Sequence, residues 1–239
     1  MAQLKKNVEV FDLDVVNNKG YRYTTRPALS SVLANKRMTE ATLDMIDHEV
    51  STIVDIGAGD GTYANDIRLR RSDIKITGFD AAAKAVEMAV SRYPECDWVV
   101  GDIADTSTFP KKRFDLGIIR GVLHHLHNPK LAIANSAILS DTLIILEPNG
   151  SNPILKLIEK ASVYHRKHEE TSFTANVLTG WCREGGYEVE RIEYIGFVPF
   201  FFPAVLAKLI YFFQPCLEKI YPLKRYLGAQ IVLLCKKTR

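Results

Sequence analysis

The stretch STIVDIGAGDGT, at residues 51–62, decides the fold of this chain. A β-branched run ends in three glycines at alternate positions, Gly57, Gly59 and Gly61, and residues 63–71 then have helical character. Glycine permits positive φ and lets the backbone approach a ligand, while the start of a helix presents free N–H groups. A glycine loop between a strand and a helix therefore predicts a ligand site. A tight turn that only packs the two elements together is the alternative.

Strands and helices alternate outward from this loop. Apolar, strand-like runs occur at 75–79, 96–100, 114–119 and 141–146, and helical patterns at 81–93 and 129–139. This alternation predicts βαβ units in a parallel sheet, and the nearly continuous apolar strands predict that helices cover both faces. Two late strands, at 187–195 and 230–235, are separated by a long insertion. We therefore expect an α/β, Rossmann-like, mostly parallel sheet with an antiparallel last strand.

The composition is that of an ordinary globular protein, with 239 residues, 47% hydrophobic and 25% charged residues, and a net charge of +3. We predict a single domain over 1–239, with an N-terminal helical cap at about 1–50 and a hydrophobic insertion at about 196–226. Within the cap, residues 27–34 and 39–48 have helical character. The N-terminus lacks a signal-peptide pattern, and no apolar run reaches the roughly 18–20 residues that span a bilayer, so we expect a cytoplasmic location. Four widely spaced cysteines predict reduced thiols and no metal site.

Two aspartates follow strands at the same predicted edge of the sheet. Asp80 ends the second strand, about 19 residues after Gly61, where an acidic side chain accepts hydrogen bonds from ribose hydroxyls. Asp80 is also suited to cap the helix that follows, and the two roles are compatible because each can use one oxygen. Asp102 follows the third strand and could accept a hydrogen bond from an adenine amine. The alternative is an ordinary Gly-Asp turn.

These segments, taken in order, resemble the motifs of a known family. VDIGAGDG, GFD, GD, FDLGIIRGVLHHLHNP and LIILEPN look like those of class I S-adenosylmethionine-dependent methyltransferases, and most closely the methyltransferase type 11 or UbiE/UbiG-like small-molecule group. The resemblance covers about residues 50–150. It implies a seven-stranded sheet, S-adenosylmethionine as the cofactor and S-adenosylhomocysteine as the product.

The resemblance also implies a set of cofactor-binding residues. The loop around the methionine part would comprise Asp55, Gly57, Ala58, Gly59 and Gly61. Asp80 with Ala81 would bind the ribose, Asp102 with Ile103 the adenine, and Arg120 with Gly121 would line the floor near the methionine part.

Three other functions are alternatives to this one. An NAD(P)-dependent oxidoreductase would need the fingerprint GxGxxG, but Thr62 stands where its last glycine belongs, and Asp60 would repel a pyrophosphate. A methyltransferase-like binding protein without catalysis is the second alternative. A nucleic-acid methyltransferase is disfavoured because there is no NPPY or DPPY motif and no basic stripe, so we expect a small-molecule acceptor and no nucleic acid.

His124 and His125, after the fourth strand, are the candidates for catalysis. Ligands bind at the carboxyl edge of such sheets, and a histidine with its ordinary pKa suits general base catalysis. Family resemblance adds Tyr21 and Tyr23 as N-terminal partners. Packing against the sheet is the alternative role for either histidine. The spacing H-H-x-H makes a shared metal ion awkward, so we predict no catalytic metal.

Further candidates for the acceptor site are Glu147 and Asn149, which end the fifth strand at the same edge. His165 belongs to a polar patch for which a solvated loop is the alternative.

The segment at 195–221 is unusually rich in aromatic residues. Pro199, Pro203 and Pro215 exclude one long helix, although Leu206, Leu209 and other apolar residues follow helical spacing. Three interpretations stay open: a lid over a hydrophobic acceptor pocket, a peripheral membrane contact through 196–221, and a homodimer surface or plain core. The first two favour a lipid-like, isoprenoid or aromatic acceptor.

Overall fold

The computed structural model describes residues 28–161 and 171–238. In chain order its elements are α1 (Leu29–Leu43), β1 (Thr52–Ile56), α2 (Thr62–Arg70), β2 (Lys75–Asp80), α3 (Ala83–Arg92), β3 (Asp97–Val100), β4 (Leu116–Arg120), α4 (Pro129–Leu139), β5 (Thr142–Pro148), α5 (Pro153–Ala161), α6 (Ala175–Glu184), β6 (Tyr187–Ile195), α7 (Ala204–Leu217), α8 (Tyr221–Leu227) and β7 (Gln230–Lys237). Short 3₁₀ turns cover Thr106–Thr108 and Leu123–His125.

The strands form one seven-stranded sheet in the order β3-β2-β1-β4-β5-β7-β6. β1 pairs in parallel with β2 and β4, and β4 with β5, whereas β7 runs antiparallel to both of its neighbours. The predicted Rossmann-like α/β fold with an antiparallel last strand is therefore confirmed. Because β1, β2 and β4 are parallel neighbours, their carboxyl ends meet at one edge of the sheet.

The sheet is packed on both faces, as its apolar strands predicted. Val54 and Ile56 of β1 belong to a buried cluster with residues of α4 and α6. Ile53 points to the opposite face, where Met38 and Ala41 of α1 belong to a second cluster. Alternate residues of a strand face opposite sides, so the Asp55 side chain lies on the α1 face.

The N-terminal helical region differs from its prediction. The sequence predicted two helices, at 27–34 and 39–48, whereas α1 is one continuous helix over Leu29–Leu43. No glycine or proline separates the two predicted pieces, so nothing in residues 35–38 ends a helix. Residues 44–50 form turns instead of a further helical turn. Of the predicted cap at 1–50, residues 1–27 lie outside the described residues.

The hydrophobic insertion forms α7 and α8 between β6 and β7. Pro199 and Pro203 precede α7, as expected of helix-breaking residues. The expectation that Pro215 also breaks the helix is wrong, because Pro215 lies inside α7, close to its end. The chain leaves the helix only after Leu217. None of the helices in residues 28–161 and 171–238 is long and apolar enough to cross a membrane.

Candidate functional site

The glycine loop connects β1 to α2 at the carboxyl edge of the sheet. Gly57, Gly59 and Gly61 all have positive φ, at +78°, +57° and +80°. The Gly57 N–H donates to the Phe79 carbonyl at 2.7 Å, which ties the loop to the end of β2. A Cβ on Gly61 would lie 2.5 Å from the Trp98 ring. The glycines are thus required both by backbone conformation and by close packing.

We predict that Gly61→Ala lowers the free energy of unfolding by about 2–4 kcal/mol, because it combines positive φ with a ring contact that must shift. Gly180→Ala is the matched control. Gly180 lies inside α6, and a Cβ there would meet nothing within 4 Å. The control should be stabilised by about 0.5–1 kcal/mol. Urea denaturation of both variants measures the difference, and equal stability of the two would contradict this account of the loop.

Asp80 connects the loop to the start of α3 through both carboxylate oxygens. Oδ2 accepts from the Gly59 N–H at 2.8 Å, and Oδ1 accepts from the Ala82 N–H at 2.8 Å. The expected helix-capping role is wrong, because the N-cap of α3 is Ala82 and α3 begins at Ala83. Asp80 instead closes a turn before the helix. A carboxylate oxygen can accept more than one hydrogen bond.

Asp60 is buried within the loop and faces inward. It accepts from the Thr62 hydroxyl at 2.8 Å and pairs with Arg92 Nη1 at 3.1 Å. The ion pair compensates its charge, so Asp60 is a weaker argument against a pyrophosphate than the sequence suggested. Thr62 in place of the third fingerprint glycine remains the argument against a dinucleotide.

The turn after β3 holds the adenine candidates. The Asp102 N–H donates to Thr108 Oγ1 at 2.9 Å, and Asp102 Oδ1 accepts from the Ala104 N–H at 2.8 Å. Ile103 is buried, and its carbonyl accepts from Asn135 Nδ2 at 2.8 Å. The Asp102 side chain is half-buried in an ordered turn. This ordering fixes the carboxylate beside the ends of β2 and β3.

Arg120, at the end of β4, is held by residues that the sequence did not indicate. Its guanidinium lies 3.8 Å from the centre of the Tyr63 ring, and its Nη1 donates to Thr39 Oγ1 at 3.0 Å. Nη2 donates to the Asn35 carbonyl at 3.3 Å, and Tyr63 in turn donates to Asn35 Oδ1 at 2.9 Å. Burial raises the pKa of Tyr63 to about 12, so the phenol stays protonated. Helix α1 is therefore part of the site.

Asp55 is a buried carboxyl at the base of the loop, with only 5% of its surface exposed. Burial raises its pKa to about 7. The positive charge of Arg120 lowers the pKa, whereas the negative charge of Asp80 raises it further. The carboxyl thus titrates close to neutral pH, and a cation placed next to it would favour its ionised form.

We predict that Asp55→Asn stabilises the protein increasingly as the pH rises. Below the unfolded pKa of 3.8 the carboxyl is protonated in both states, and between about 4 and 7 the unfolded state ionises first, which favours unfolding. The variant's advantage over wild type in free energy of unfolding should grow by about 2–3 kcal/mol between about pH 5 and pH 8.

Asp115→Asn is the control, for which we expect a change of opposite sign in the free energy of unfolding. Asp115 accepts from Ser51 and Thr52, and these hydrogen bonds lower its pKa despite some burial. Its stabilising contribution is present above the unfolded pKa, so this variant should be less stable than wild type at pH 8. Denaturant titrations at both pH values measure the two differences. An Asp55→Asn advantage that is independent of pH would contradict the raised pKa.

His124 and Glu147 form a close pair next to the loop. His124 Nδ1 lies 2.7 Å from Glu147 Oε2, and Glu147 Oε1 accepts from the Val122 and Leu123 N–H groups at 2.8 and 2.7 Å. Glu147 is fully buried, while the His124 side chain is 13% exposed. Glu147 was predicted to meet the acceptor. The structure instead places it behind His124, because its oxygens are engaged by the chain itself.

The other residues predicted for catalysis or for acceptor binding lie in different parts of the structure. The ring centres of His124 and His125 lie 3.9 Å apart, so His125 borders the same space. Asn149 is fully buried and donates to the Arg225 and Gly228 carbonyls at 2.9 Å. The predicted acceptor contact of Asn149 is therefore wrong, since its side chain anchors the end of α8. Tyr21, Tyr23 and His165 lie outside the described residues.

Comparison with known families supports the class of the protein. Residues 53–150 match the family model described as a methyltransferase domain. This segment runs from β1 to just after β5 and contains the glycine loop, Asp80, Arg120 and the His124–Glu147 pair. The match of residues 53–150 to a methyltransferase domain agrees with the predicted class, a class I S-adenosylmethionine-dependent methyltransferase. The UbiE/UbiG-like subgroup stays a prediction.

Solved structures support the same fold over nearly the whole chain. A S-adenosylmethionine-dependent methyltransferase from Thermotoga maritima, described as a possible histamine N-methyltransferase, has a TM-score of 0.67 at 19% identity and covers 96% of this chain and 99% of its own. A S-adenosylmethionine-dependent methyltransferase from Archaeoglobus fulgidus gives 0.63 at 14% identity, with coverages of 90% and 97%. Magnesium protoporphyrin IX methyltransferase from Synechocystis, solved with bound S-adenosylhomocysteine, gives 0.60 at 15% identity, with coverages of 88% and 86%. No curated protein matches this sequence.

Proposed function

We propose that this chain binds S-adenosylmethionine at the carboxyl edge of β1, β2 and β4 and methylates a small hydrophobic acceptor whose nucleophile carries a proton. The observation that carries the proposal is the His124–Glu147 pair, 2.7 Å apart, directly beside the glycine loop. A buried carboxylate that accepts the Nδ1 proton fixes the imidazole tautomer in which Nε2 carries the lone pair that a general base needs.

Two carboxylates, at the end of β2 and directly after β3, fit the nucleoside end of the cofactor. A Cβ on Gly57 would lie 2.3 Å from Val122 Cγ2, so the glycine loop is packed closely against the turn after β4. We assign Asp80 and Ala81 to the ribose, and Asp102 with Ile103 to the adenine. Both carboxylates are already oriented by backbone N–H groups, so binding does not need to order them.

The amino-acid end of the cofactor is a zwitterion, and the site has one group of each charge for it. Arg120 supplies a guanidinium fixed by Tyr63 and Thr39, and we assign it with Gly121 to the floor under the carboxylate end. Asp55, whose pKa is raised to about 7, ionises readily when an ammonium group lies near it. Gly57, Ala58, Gly59 and Gly61 provide the backbone around this end.

When bound, the cofactor supplies an electrophilic methyl group on a sulfonium sulfur. His124 Nε2 takes the proton from an acceptor O–H or N–H group as the acceptor atom bonds to the methyl carbon and the carbon–sulfur bond breaks. The electron pair of the broken bond would stay with the sulfur, so that the product would be the neutral thioether S-adenosylhomocysteine. Glu147 stabilises the imidazolium and holds its orientation, which makes Glu147 a positioning residue.

Support for a hydrophobic acceptor comes from the surroundings of the site. The insertion that forms α7 and α8 is rich in apolar side chains, and α7 packs on α1, the helix that holds Arg120. One structural relative is named for a porphyrin substrate and another for histamine, so the relatives do not favour a single acceptor.

Transfer of a labelled methyl group tests the proposal. S-adenosylmethionine labelled in its methyl group is incubated with the protein and a small-molecule extract, which is then separated into organic and aqueous fractions. We expect label in an organic-soluble product with wild type and little with His124→Gln. A wild type that binds S-adenosylhomocysteine but labels neither fraction would favour a binding protein without catalysis.

A further inference from the structure

The outward side of α7 is apolar and open to solvent. Val205 is 78% exposed and Phe212 is 76% exposed, and Leu209 lies between them on the same side of the helix. Leu206 and Phe213 extend the apolar surface at one margin, and both are also exposed. We call these five side chains the outer face of α7. Contiguous exposed apolar surface of this kind marks an interaction site.

The inner side of α7 is fixed to the protein, which determines the direction of the outer face. Ala207 and Gln214 are buried on that side, and Gln214 Oε1 accepts from the Phe197 N–H at 2.9 Å. Glu218, just after the helix, accepts from the Gly196 N–H at 2.9 Å and pairs with Arg37 of α1 at 2.7 Å. These contacts argue against the plain-core interpretation, since the helix turns its largest apolar side chains away from the protein.

The apolar surface continues on both sides of α7 with aromatic side chains. Phe201 precedes the helix and is 67% exposed, and Tyr221 and Tyr226 of α8 are about half exposed. Tyrosine combines an apolar ring with a polar hydroxyl at its tip, which suits the boundary between lipid and water. Phenylalanine and leucine on one side of a short helix suit insertion to the level of the headgroups.

The charges of the segment that carries the outer face, residues 196–227, are nearly all positive. Between residues 196 and 227 the single acidic residue is Glu218, which is 12% exposed and paired with Arg37. The basic residues of this segment are Lys208, Lys219, Lys224 and Arg225. Lys224 pairs with Glu193, whereas Lys208 lies at a margin of the outer face and Lys219 is exposed beyond the helix end. Apolar surface bordered by cations is complementary to an anionic lipid surface.

We propose that the outer face of α7 docks on an anionic membrane surface. A symmetric contact with a second copy would bring the same basic side chains together without an exposed acid in the segment to compensate them. The helix has 14 residues, so it lies in the interface and does not cross the bilayer. If the proposed function holds, docking would bring an acceptor dissolved in the membrane to the site, because α7 packs directly on α1.

Vesicle sedimentation tests docking without cofactor or acceptor. Wild type is expected to sediment with phosphatidylcholine vesicles that contain about one quarter phosphatidylglycerol, and much less with pure phosphatidylcholine or at high salt. The double variant Val205→Ser/Phe212→Ser should lower the partition coefficient by about tenfold or more. Leu69→Ser is the matched control, since Leu69 of α2 is 65% exposed outside this face, and it should bind as wild type does.

Two results would overturn the proposal. One is that wild type and the double variant sediment with the vesicles to the same extent, or that neither sediments with them. The other is that neither protein binds vesicles, while light scattering shows that wild type is a dimer and the double variant a monomer. That result would assign the outer face of α7 to self-association. Titration with S-adenosylhomocysteine separates these failures from the proposed function, because the double variant should keep the affinity of wild type.

Discussion

Glu147→Gln is expected to lower kcat by about 10²- to 10⁴-fold while leaving the fold and the cofactor affinity intact. The amide oxygen can still accept from the Val122 and Leu123 N–H groups, but the amide nitrogen can only donate to His124 Nδ1. The imidazole then carries its proton on Nε2 and cannot accept one from the acceptor. The assay uses the acceptor that the labelling experiment identifies.

Two further variants make this prediction specific to the pair. His124→Ala removes the base itself, and its kcat should be lowered by a factor in the same range. The kcat of the double variant should be no lower than that of either single variant, because the two residues act as a unit. Glu188→Gln changes a surface carboxylate of β6 and should have the activity of wild type. A Glu147→Gln enzyme with normal kcat would exclude His124 as a base oriented by Glu147.

Asp80→Ala should weaken S-adenosylhomocysteine binding by about 10²-fold or more, which is the largest effect expected on affinity. The variant loses the carboxylate proposed for the ribose and also the bonds that hold the Gly59 and Ala82 N–H groups. The loop would then have to be ordered by the cofactor itself, which adds to the loss. Calorimetric titration gives the dissociation constant.

Glu87→Ala provides the control for Asp80. Glu87 lies on α3, close in sequence, and forms an exposed ion pair with Lys84 at 2.8 Å. Exposed pairs of this kind contribute little, so affinity and stability should match wild type. Circular dichroism and thermal unfolding establish that Asp80→Ala is folded. Unchanged affinity in a folded Asp80→Ala protein would rule out the ribose assignment.

The sheet was predictable from the sequence because its determinants are local. The glycine loop after an apolar strand, and the regular alternation of strands and helices that follows, are properties of short segments. Parallel order then places Asp80 and Arg120 at one edge with Asp55 at the base of the loop. The end of α1 was less predictable, since residues 35–48 contain no glycine or proline to mark it.

The parts of the site that depend on long-range packing were not predictable. Asn35 and Thr39 contact Arg120 from about 80 residues away in sequence, and no local pattern indicates this. Glu147 was correctly placed at the edge, but only the structure shows that it is buried behind His124. The apolar spacing within 204–217 predicted a helix, yet spacing alone does not tell whether the apolar side faces the core or the solvent.

The most direct test of the account is calorimetric titration of the purified wild-type protein with S-adenosylhomocysteine, with NADH titrated in parallel. The glycine loop, Asp80 and Asp102 predict micromolar binding of S-adenosylhomocysteine and no binding of NADH. Binding of NADH alone, or of neither ligand by a protein shown to be folded, would contradict the assignment of this edge of the sheet to S-adenosylmethionine.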